Sequence, residues 1–562
     1  MIMARNEDGT YSQVGFVKDN AGIDTEYIYD KDGDIVFEKG FTRETSGTVP
    51  LTINGIGKDL KAWSITGNTV QNGTPTPDNP VEVQAVGDRT ANLFDILTVY
   101  SDTTKFTINK NSVTATGRNF DAIRIKLADV GVGIGDTFVF SANILNSVIG
   151  VMGRVCVSIG GVTKQGLYKN VLEPYVSSIT GTMETNEDAI WISYGNTGEI
   201  NASNIMLNSG STALPYEPYG YKIPVVTRGK NLLEPIGFSA EIITNINDYR
   251  KKTNNYGTSL STVYGGSVLV TQANQIDTTT SYVNGVFYIV VDFSKFTTGK
   301  NYILSFDYEI KEKHSVQGNS IAYIGNSTSP TKIYGDWGKD GRKSATFTVE
   351  EGFKPYIAIR LCGNSIFVSN IQIEEDLTAT PYEPYHEPIT TPIYLDSPLY
   401  KIGKYADRLS KTEEVRVVKE LVLTGTNADG EWKASTTRKG SFYLNIDPNA
   451  IVGWAICDRA TNVNNVGNYH YGNVFAEEAI VTSSVVINLW LFDTAITLAD
   501  FKNYLAAQYA AGTPVKVYYV VQTPETKTVE PVQIPTLNGT TVIDVDTAVK
   551  PTEMYTKYKS SK

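Results

Sequence analysis

Residues 213–219 read Ala-Leu-Pro-Tyr-Glu-Pro-Tyr, and residues 379–385 read Ala-Thr-Pro-Tyr-Glu-Pro-Tyr. Each copy follows a Ser-Asn-Ile sequence, at 203–205 and 369–371, at the end of a strand-rich passage. A match of this length is not expected by chance, so the chain contains a module that it uses at least twice. We call the shared Pro-Tyr-Glu-Pro-Tyr sequence the exit phrase, because it closes each module.

The two modules run in register over most of their length. Tyr216 and Tyr382, the first tyrosines of the two exit phrases, are 166 residues apart. The modules open with similar sequences at Asn92 and Asn231, which are only 139 residues apart. The second module therefore carries an insertion of about 25 residues within 240–285, as expected when a loop lengthens on a constant β scaffold.

Apolar and polar residues alternate within short segments. Phe138, Phe140 and Ala142, for example, alternate with Val139, Ser141 and Asn143, which is the period of a strand with one buried face. The sequence predicts an all-β fold of tandem jelly-roll or β-sandwich modules. One short helix is expected in the third module, with Thr497 as N-cap and Leu498, Phe501 and Leu505 on one face.

Composition shifts and Pro-rich stretches divide the chain further. The predicted segments are an N-terminal segment with a hairpin at 1–45, a small β segment and linker at 46–90, module 1 at 91–221, module 2 at 228–388, a connector at 389–420, module 3 at 421–525 and a C-terminal β tail at 526–562. Asp30, Asp32 and Asp34 lie at the hairpin turn, but Phe41 stands where a calcium loop needs a bidentate glutamate. We therefore expect a turn there and no metal.

Composition argues against several classes of function. The formal net charge of −11, without a Lys/Arg cluster, makes nucleic acid an unexpected partner. The three cysteines are widely spaced and form no CxxC pair, so neither a disulfide framework nor a zinc site is expected. The N-terminus lacks an apolar signal core, and no apolar run is long enough to cross a bilayer.

Several sequences resemble those of tail, baseplate and head-fibre structural proteins of phages that infect Gram-positive, often gut, bacteria. They are the turn-rich stretch at 66–77, Asn92-Leu93-Phe94, the two exit phrases, the segment 498–519 and Gly539-Thr540-Thr541-Val542. The resemblance covers roughly 45–562. It implies modules similar to carbohydrate-binding domains, often in oligomeric fibres, and it carries over no catalytic residue.

Sugar binding needs exposed aromatic faces beside polar groups that bond hydroxyls. The candidates are Tyr334, Asp336, Trp337 and Arg342 in one loop, Tyr469 and Tyr471 in module 3, and Tyr168 at the place in module 1 that is equivalent to Tyr334. Coverage of a sheet edge or of an interface between chains is the alternative role for these aromatic residues. For the exit phrases we favour a structural role, because prolines hold an extended path at a module boundary.

No motif for nucleophilic, phosphate-binding or metalloprotease chemistry is present. Glycoside hydrolysis needs only two carboxylates, but the adjacent pairs Glu350-Glu351 and Glu374-Glu375 would point to opposite faces of a strand. We expect no enzyme and no cofactor. The expected function is that of a virion structural protein on the particle surface, with other virion proteins as partners of its N-terminal segment.

The expected assembly is a homo-oligomer, with a trimer favoured by the resemblance, and host surface glycans are the expected ligands. A capsid head-fibre or decoration protein with a purely structural role is one alternative. A glycan depolymerase is the second.

Overall fold

The structure is a computed structural model. It describes residues 2–5, 11–18, 24–29, 35–37, 49–53, 60–76, 79–109, 111–193, 198–234, 260–262, 267–272, 275–279, 286–289, 296–313, 322–325, 331–333, 340–351, 356–360, 364–434, 441–445, 449–459, 481–483, 486–490 and 496–557.

The N-terminal strands form an antiparallel sheet of their own, and the next five strands lead to module 1. These strands are β1 (Ile2–Arg5), β2 (Tyr11–Lys18), β3 (Asp24–Tyr29), β4 (Ile35–Phe37), β5 (Val49–Ile53), β6 (Ala62–Thr66), β7 (Thr69–Gln71), β8 (Val83–Ala85) and β9 (Asp88–Arg89). The first sheet has the order β1-β2-β3-β4. Its β3 and β4 form the hairpin expected around Asp32-Gly33, with Tyr29 opposite Ile35.

Module 1 is a sandwich of two antiparallel sheets. Its elements are α1 (Ile96–Val99), β10 (Phe106–Asn109), β11 (Ser112–Thr116), β12 (Ile125–Lys126), β13 (Thr137–Asn146), β14 (Arg154–Ile159), β15 (Val162–Gln165), β16 (Tyr175–Thr182), β17 (Ala189–Ser193) and β18 (Glu199–Ser209), with 3-10 helices at Gly117–Ala122 and Ala128–Val130. The sheet orders are β10-β11-β18-β13-β16 and β12-β17-β14-β15. Phe138 and Phe140 of one sheet face Ile190 and Ile192 of the other in the buried core.

Module 2 follows the strand β19 (Tyr221–Arg228) and repeats this arrangement. Its elements are β20 (Leu260–Thr262), β21 (Ser267–Gln272), β22 (Gln275–Thr279), β23 (Val286–Ile289), β24 (Asn301–Lys313), β25 (Ala322–Gly325), β26 (Thr331–Ile333), β27 (Gly341–Thr348), β28 (Tyr356–Arg360) and β29 (Asn364–Glu374). The order β22-β29-β24-β27 facing β23-β28-β25-β26 corresponds to β11-β18-β13-β16 facing β12-β17-β14-β15 in module 1. Both are jelly-roll orders, so the predicted fold class is confirmed.

The remaining elements complete module 3 and the C-terminal segment. They are β30 (Ile389–Leu395), β31 (Lys401–Ile402), β32 (Tyr405–Ala406), β33 (Arg408–Ser410), β34 (Glu413–Leu423), a 3-10 helix at Asn427–Asp429, β35 (Trp432–Ala434), β36 (Ser441–Asn445), β37 (Ala450–Cys457), β38 (Val481–Ser483), β39 (Val486–Trp490), α2 (Leu498–Ala510), β40 (Val515–Thr528), β41 (Gly539–Val545) and β42 (Glu553–Lys557). The predicted helix α2 begins with a capping box between Thr497 and Asp500 and buries Phe501 and Leu505. The sequence did not indicate the four-residue helix α1.

Strands from four distant parts of the chain form one central domain. One of its sheets has the order β30-β19-β41-β5, and β33, β6 and β42 are neighbours in the other. Trp63, Ile223, Ile393 and Ile543 are buried between these sheets, together with Met554. The predicted linker at 46–90, connector at 389–420 and tail at 526–562 thus all contribute strands to this domain, from which modules 1 and 2 project as long insertions.

The two modules are attached at opposite ends of the central domain. β19 and β30 are antiparallel neighbours, with Tyr221 opposite Leu395 and Thr227 opposite Ile389. Module 1 joins the end at Tyr221, where β9 also pairs, and module 2 joins the other end, after Arg228 and before Ile389. No helix in the described part of the chain is long and apolar enough to cross a bilayer.

Candidate functional site

The first exit phrase is held by the asparagine that opens module 1. Asn92 is buried, and its Nδ2 donates to the carbonyls of Ile205 at 3.0 Å and Glu217 at 2.9 Å. Its Oδ1 accepts from the amides of Phe94 at 2.9 Å and Leu207 at 3.1 Å. One side chain therefore ties the start, the last strand and the exit of the module together, and we call this arrangement the first clasp.

The second exit phrase is held in the same way by Asn231, and we call this the second clasp. Its Nδ2 donates to the carbonyl of Glu383 at 3.0 Å. Its Oδ1 accepts from the amides of Leu233 at 3.0 Å and Ile373 at 3.3 Å. The asparagines Asn92 and Asn231 thus have equivalent partners, which supports the interpretation of the repeated phrase as a structural element.

The glutamate inside each exit phrase has different partners in the two clasps. Glu217 accepts from the amide of Ala91 at 2.8 Å and from Lys222 Nζ. Glu383 accepts from Lys230 Nζ at 3.0 Å and, on strand β41 of the central domain, from the amide of Thr540 at 2.7 Å and its hydroxyl at 2.9 Å. Among the described residues, the side chain of the second exit-phrase glutamate is thus bonded to β41, whereas that of the first is not.

A recess of about 550 Å³ lies beside the second clasp, between module 2 and the central domain. We call it the junction recess. Its lining includes Arg228, Lys300, Glu375, Tyr385, His386 and Asp544. These residues come from β19, the position just before β24, the position just after β29, the end of the second exit phrase with the histidine that follows it, and β41, so the recess exists only because the two units are joined.

The charged groups of the junction recess are balanced. Glu375 forms an ion pair with Lys300 and lies 3.7 Å from Arg228 Nη2. The same Nη2 is 3.9 Å from Asp544 Oδ2, and Lys550 Nζ is 3.5 Å from Asp546 Oδ1. Three carboxylates thus face three cations along the lining. This arrangement offers both donors and acceptors without a net charge.

Aromatic rings form the rest of the wall. Tyr385 and His386 are half-buried, while Tyr302 and Phe296 line the recess as buried residues. Burial raises the pKa of Tyr385, and the carboxylates of Glu234 and Glu387 raise it further, so its hydroxyl remains protonated. A ring face beside paired donors and acceptors suits a polyhydroxylated ligand, whose apolar C–H face and hydroxyl groups need both.

The described residues contain no group of three or more His, Cys, Asp or Glu side chains that could hold a metal ion. Among the described carboxyls, burial raises the pKa of Asp407 and Asp458. Neither lines the junction recess. Asp407 is instead bonded to the amides of Val417 at 2.8 Å and Val418 at 3.0 Å, inside the central domain.

Two of the predicted site residues are described. Tyr168 is 48% exposed, and the Arg154 guanidinium lies 5.1 Å from its ring centroid. Arg342 donates to Asp307 Oδ1 at 3.2 Å, to the Asn370 carbonyl at 3.0 Å and to Ser305 Oγ at 2.8 Å, all within its own module. Its guanidinium is therefore engaged in holding strands β24, β27 and β29 together.

The other predicted site residues lie outside the described part of the chain: Tyr334, Asp336, Trp337, Tyr469 and Tyr471. Reasoning from the sequence missed the junction recess, because its residues lie in five segments. The one available signal was the second exit phrase, where Tyr385 is followed directly by a histidine.

No protein-family model matches this chain, and no curated protein sequence matches it. Among solved structures, it is weakly similar to the tandem CBM22-1–CBM22-2 domains of Paenibacillus barcinonensis Xyn10C, with 10% identity and a TM-score of 0.18 over 54% of this chain and 100% of that one. It is also similar to an anti-sigma factor domain-containing protein, with 11% identity and a TM-score of 0.12 over 57% of this chain and 98% of that one.

A third similar structure holds the M60 catalytic domain with the CBM51-1 and CBM51-2 domains of Clostridium perfringens ZmpB, with 9% identity and a TM-score of 0.13 over 64% of this chain and 49% of that one. TM-scores this low carry no argument about function. The β-sandwich class therefore rests on the sheet orders of this chain, and its function has to be argued from its own residues.

Proposed function

We propose that the chain is a structural protein of a bacteriophage particle, in the tail, baseplate or fibre, and that it binds a neutral host-surface glycan in the junction recess. The phage role derives from the sequence resemblance. The binding role is supported by one observation above all, which is the charge-balanced recess with the rings of Tyr385 and His386 on its wall. In this proposal the N-terminal segment attaches the protein to other virion proteins, and the protein acts as a homo-oligomer.

Binding without cleavage is preferred to a depolymerase. Glycoside hydrolysis needs a carboxylic acid with a raised pKa beside a second carboxylate. The two described acids whose pKa burial raises, Asp407 and Asp458, are not in the recess. The recess carboxylates are each close to a cation, an arrangement that suits hydroxyl recognition.

The binding claim is tested by calorimetric titration of the full chain with neutral oligosaccharides released from the host cell wall. Tyr385→Ala removes the ring, and Asp546→Asn removes an exposed acceptor of the recess. We expect the affinity to fall about tenfold or more in Tyr385→Ala, because aromatic anchors dominate binding energy, and by a smaller factor in Asp546→Asn. Equal affinity in the wild type and Tyr385→Ala would exclude this recess as the site.

Glu351→Gln is the matched control, since Glu351 is an exposed carboxylate of module 2 that does not line the recess. Its affinity should equal that of the wild type. Incubation of the same oligosaccharides with the protein tests the rival function, because shortened products would show a depolymerase.

The virion role is tested separately by electron microscopy of intact particles decorated with an antibody against module 3. Labelling at the tail or baseplate is the expected result. Labelling over the capsid would favour the head-fibre alternative, and unlabelled particles that still infect would contradict a virion role.

A further inference from the structure

The four-stranded sheet of module 1 has an outer face that carries aromatic residues and arginines. Along β17, Ile190 and Ile192 point into the module core. Side chains alternate across a strand, so Trp191 lies on the opposite face. Cys156 of β14 is directly beside it, and Arg154 pairs with Ser193 two residues further along. Arg154 and Trp191 thus share this outer face, with Cα atoms roughly 8 Å apart from the strand spacings.

Two guanidinium groups cover two rings on this face. The Arg124 guanidinium lies 4.3 Å from the centroid of the Trp191 ring. The Arg154 guanidinium lies 5.1 Å from that of Tyr168. Trp191 is only 4% exposed, whereas Tyr168 is 48% exposed. A ligand would therefore meet the Tyr168 ring and the edges of both guanidinium groups.

In the described part of the chain, the guanidinium groups of these two arginines have no anionic partner. Neither the Arg124 nor the Arg154 side chain forms a hydrogen bond or ion pair with a described residue, whereas the neighbouring Lys126 is paired with Glu187 at 2.8 Å. The Nε atom of Arg154 is buried and has no hydrogen-bond partner among the described residues. An unpaired buried donor is costly for the fold, and an anion in front of the guanidinium would offset that cost electrostatically.

We propose that this face, defined by Arg124, Arg154, Tyr168 and Trp191, binds a saccharide or sugar-alcohol chain that carries an anionic group. The Tyr168 ring would stack on the apolar face of the ligand, and the two guanidinium groups would bond its carboxylate or phosphate oxygens, a pairing that arginine geometry favours. The site is separate from the junction recess. It is also distinct in ligand class, because the recess is charge-balanced and this face has two cations without described anionic partners.

The test is titration of the full chain with tri-galacturonic acid and with its methyl ester, in which each carboxylate is replaced by an uncharged ester group. We expect the acid to bind at least about tenfold more tightly than the ester, with an affinity that falls as salt is added. Poly(glycerol phosphate) forms the second arm: binding of this polymer in place of the uronic acid would support the same anionic chemistry and assign the group as phosphate. Failure of both polyanions, or equal binding of acid and ester, would overturn the proposal.

Variants locate the site. Arg154→Gln and Arg124→Gln should each weaken binding of the anionic ligand about tenfold, as expected for loss of a charged hydrogen-bonding group, and Tyr168→Ala should also weaken it. Arg124 is exposed, so its variant remains informative if Arg154→Gln perturbs folding.

Lys126→Gln is the matched control and should bind as the wild type does; a loss of affinity equal to that of Arg124→Gln would show that only general positive charge matters. Tyr385→Ala should leave this binding unchanged, which separates the two sites.

Discussion

The two clasps carry the same exit phrase but connect to different parts of the molecule. In the first, Asn92 makes four hydrogen bonds, and Glu217 bonds the residue that precedes Asn92. In the second, Asn231 makes three bonds to described residues, and Glu383 bonds Thr540 of strand β41 in the central domain. The asparagine thus has the same role in both clasps, whereas the glutamate side chain bonds a different residue in each.

This difference shows that one interaction of the exit phrase is the same in both modules, whereas another depends on the neighbouring residues. In both copies, the backbone carbonyl of the glutamate accepts a hydrogen bond from the asparagine that opens the module. The glutamate carboxylate bonds the donors present at its own junction, which are the Ala91 amide and Lys222 Nζ in the first clasp and Lys230 Nζ and Thr540 in the second. Repeats in sequence therefore need not have equal energetic roles.

The largest effect is expected from removal of an opener asparagine. Asn92→Ala leaves buried amides and carbonyls of module 1 without partners, and we expect a loss of about 3 kcal/mol or more in the local stability of that module. Asn231→Ala removes fewer bonds and should cost module 2 roughly 2 kcal/mol. Hydrogen exchange of the β18 and β29 amides measures each module in the intact chain.

Asn109→Ala is the control for module 1, since Asn109 is exposed, and it should leave exchange of β18 unchanged. If Asn92→Ala behaved like this control, the first clasp would not stabilise module 1. A larger loss of stability in Asn231→Ala than in Asn92→Ala would contradict the order expected from the number of hydrogen bonds that the two side chains make.

The second prediction concerns the two glutamates. Glu383→Ala removes the acceptor of the Thr540 amide and hydroxyl and the ion pair with Lys230, which is 12% exposed in its side chain. We expect about 1–3 kcal/mol lower protection of the β41 amides. Glu217→Ala should leave β41 unchanged, because among the described residues the Glu217 carboxylate bonds the Ala91 amide and Lys222 Nζ and not β41. Hydrogen exchange over 539–545 in both variants checks this; equal deprotection would contradict the contextual role of Glu383.

The fold could be predicted largely from the sequence, because its signals are local. The burial of Phe138, Phe140 and Ala142 and the Thr497 cap each depend on neighbours along the chain, and both are confirmed, although Val139 is buried as well. The central domain is a different case, since β5, β19, β30 and β41 pair across hundreds of residues. Nothing in a single strand sequence specifies such partners, so three of these segments resembled linkers, connectors or tails.

Less of the candidate site could be predicted from the sequence, for the same reason. Arg228, Glu375 and Asp544 are far apart in the sequence and meet only through the strand order of the central domain. Tyr168 was identified because the repeat register places it in module 1 at the position equivalent to Tyr334. Its arginine partner Arg154 comes from β14, and only the sheet geometry brings the two together.

The smallest predicted effect is the difference in stability between equivalent substitutions in the two Ser-Asn-Ile sequences. Asn204 and Asn370 both have positive φ, of 50° and 52°, where glycine is unstrained. Asn370 also donates to Asp307 Oδ2 at 2.7 Å, while the side chain of Asn204 forms no hydrogen bond with a described residue. Asn204→Gly should therefore change module stability by less than about 0.5 kcal/mol, and Asn370→Gly should cost about 1 kcal/mol through the lost bond. Exchange rates of β18 and β29 measure both, with the alanine variants as controls that should be destabilised by about 1–2 kcal/mol because of the left-handed backbone. Equal effects of the two glycine variants would show that the Asp307 bond does not distinguish the modules.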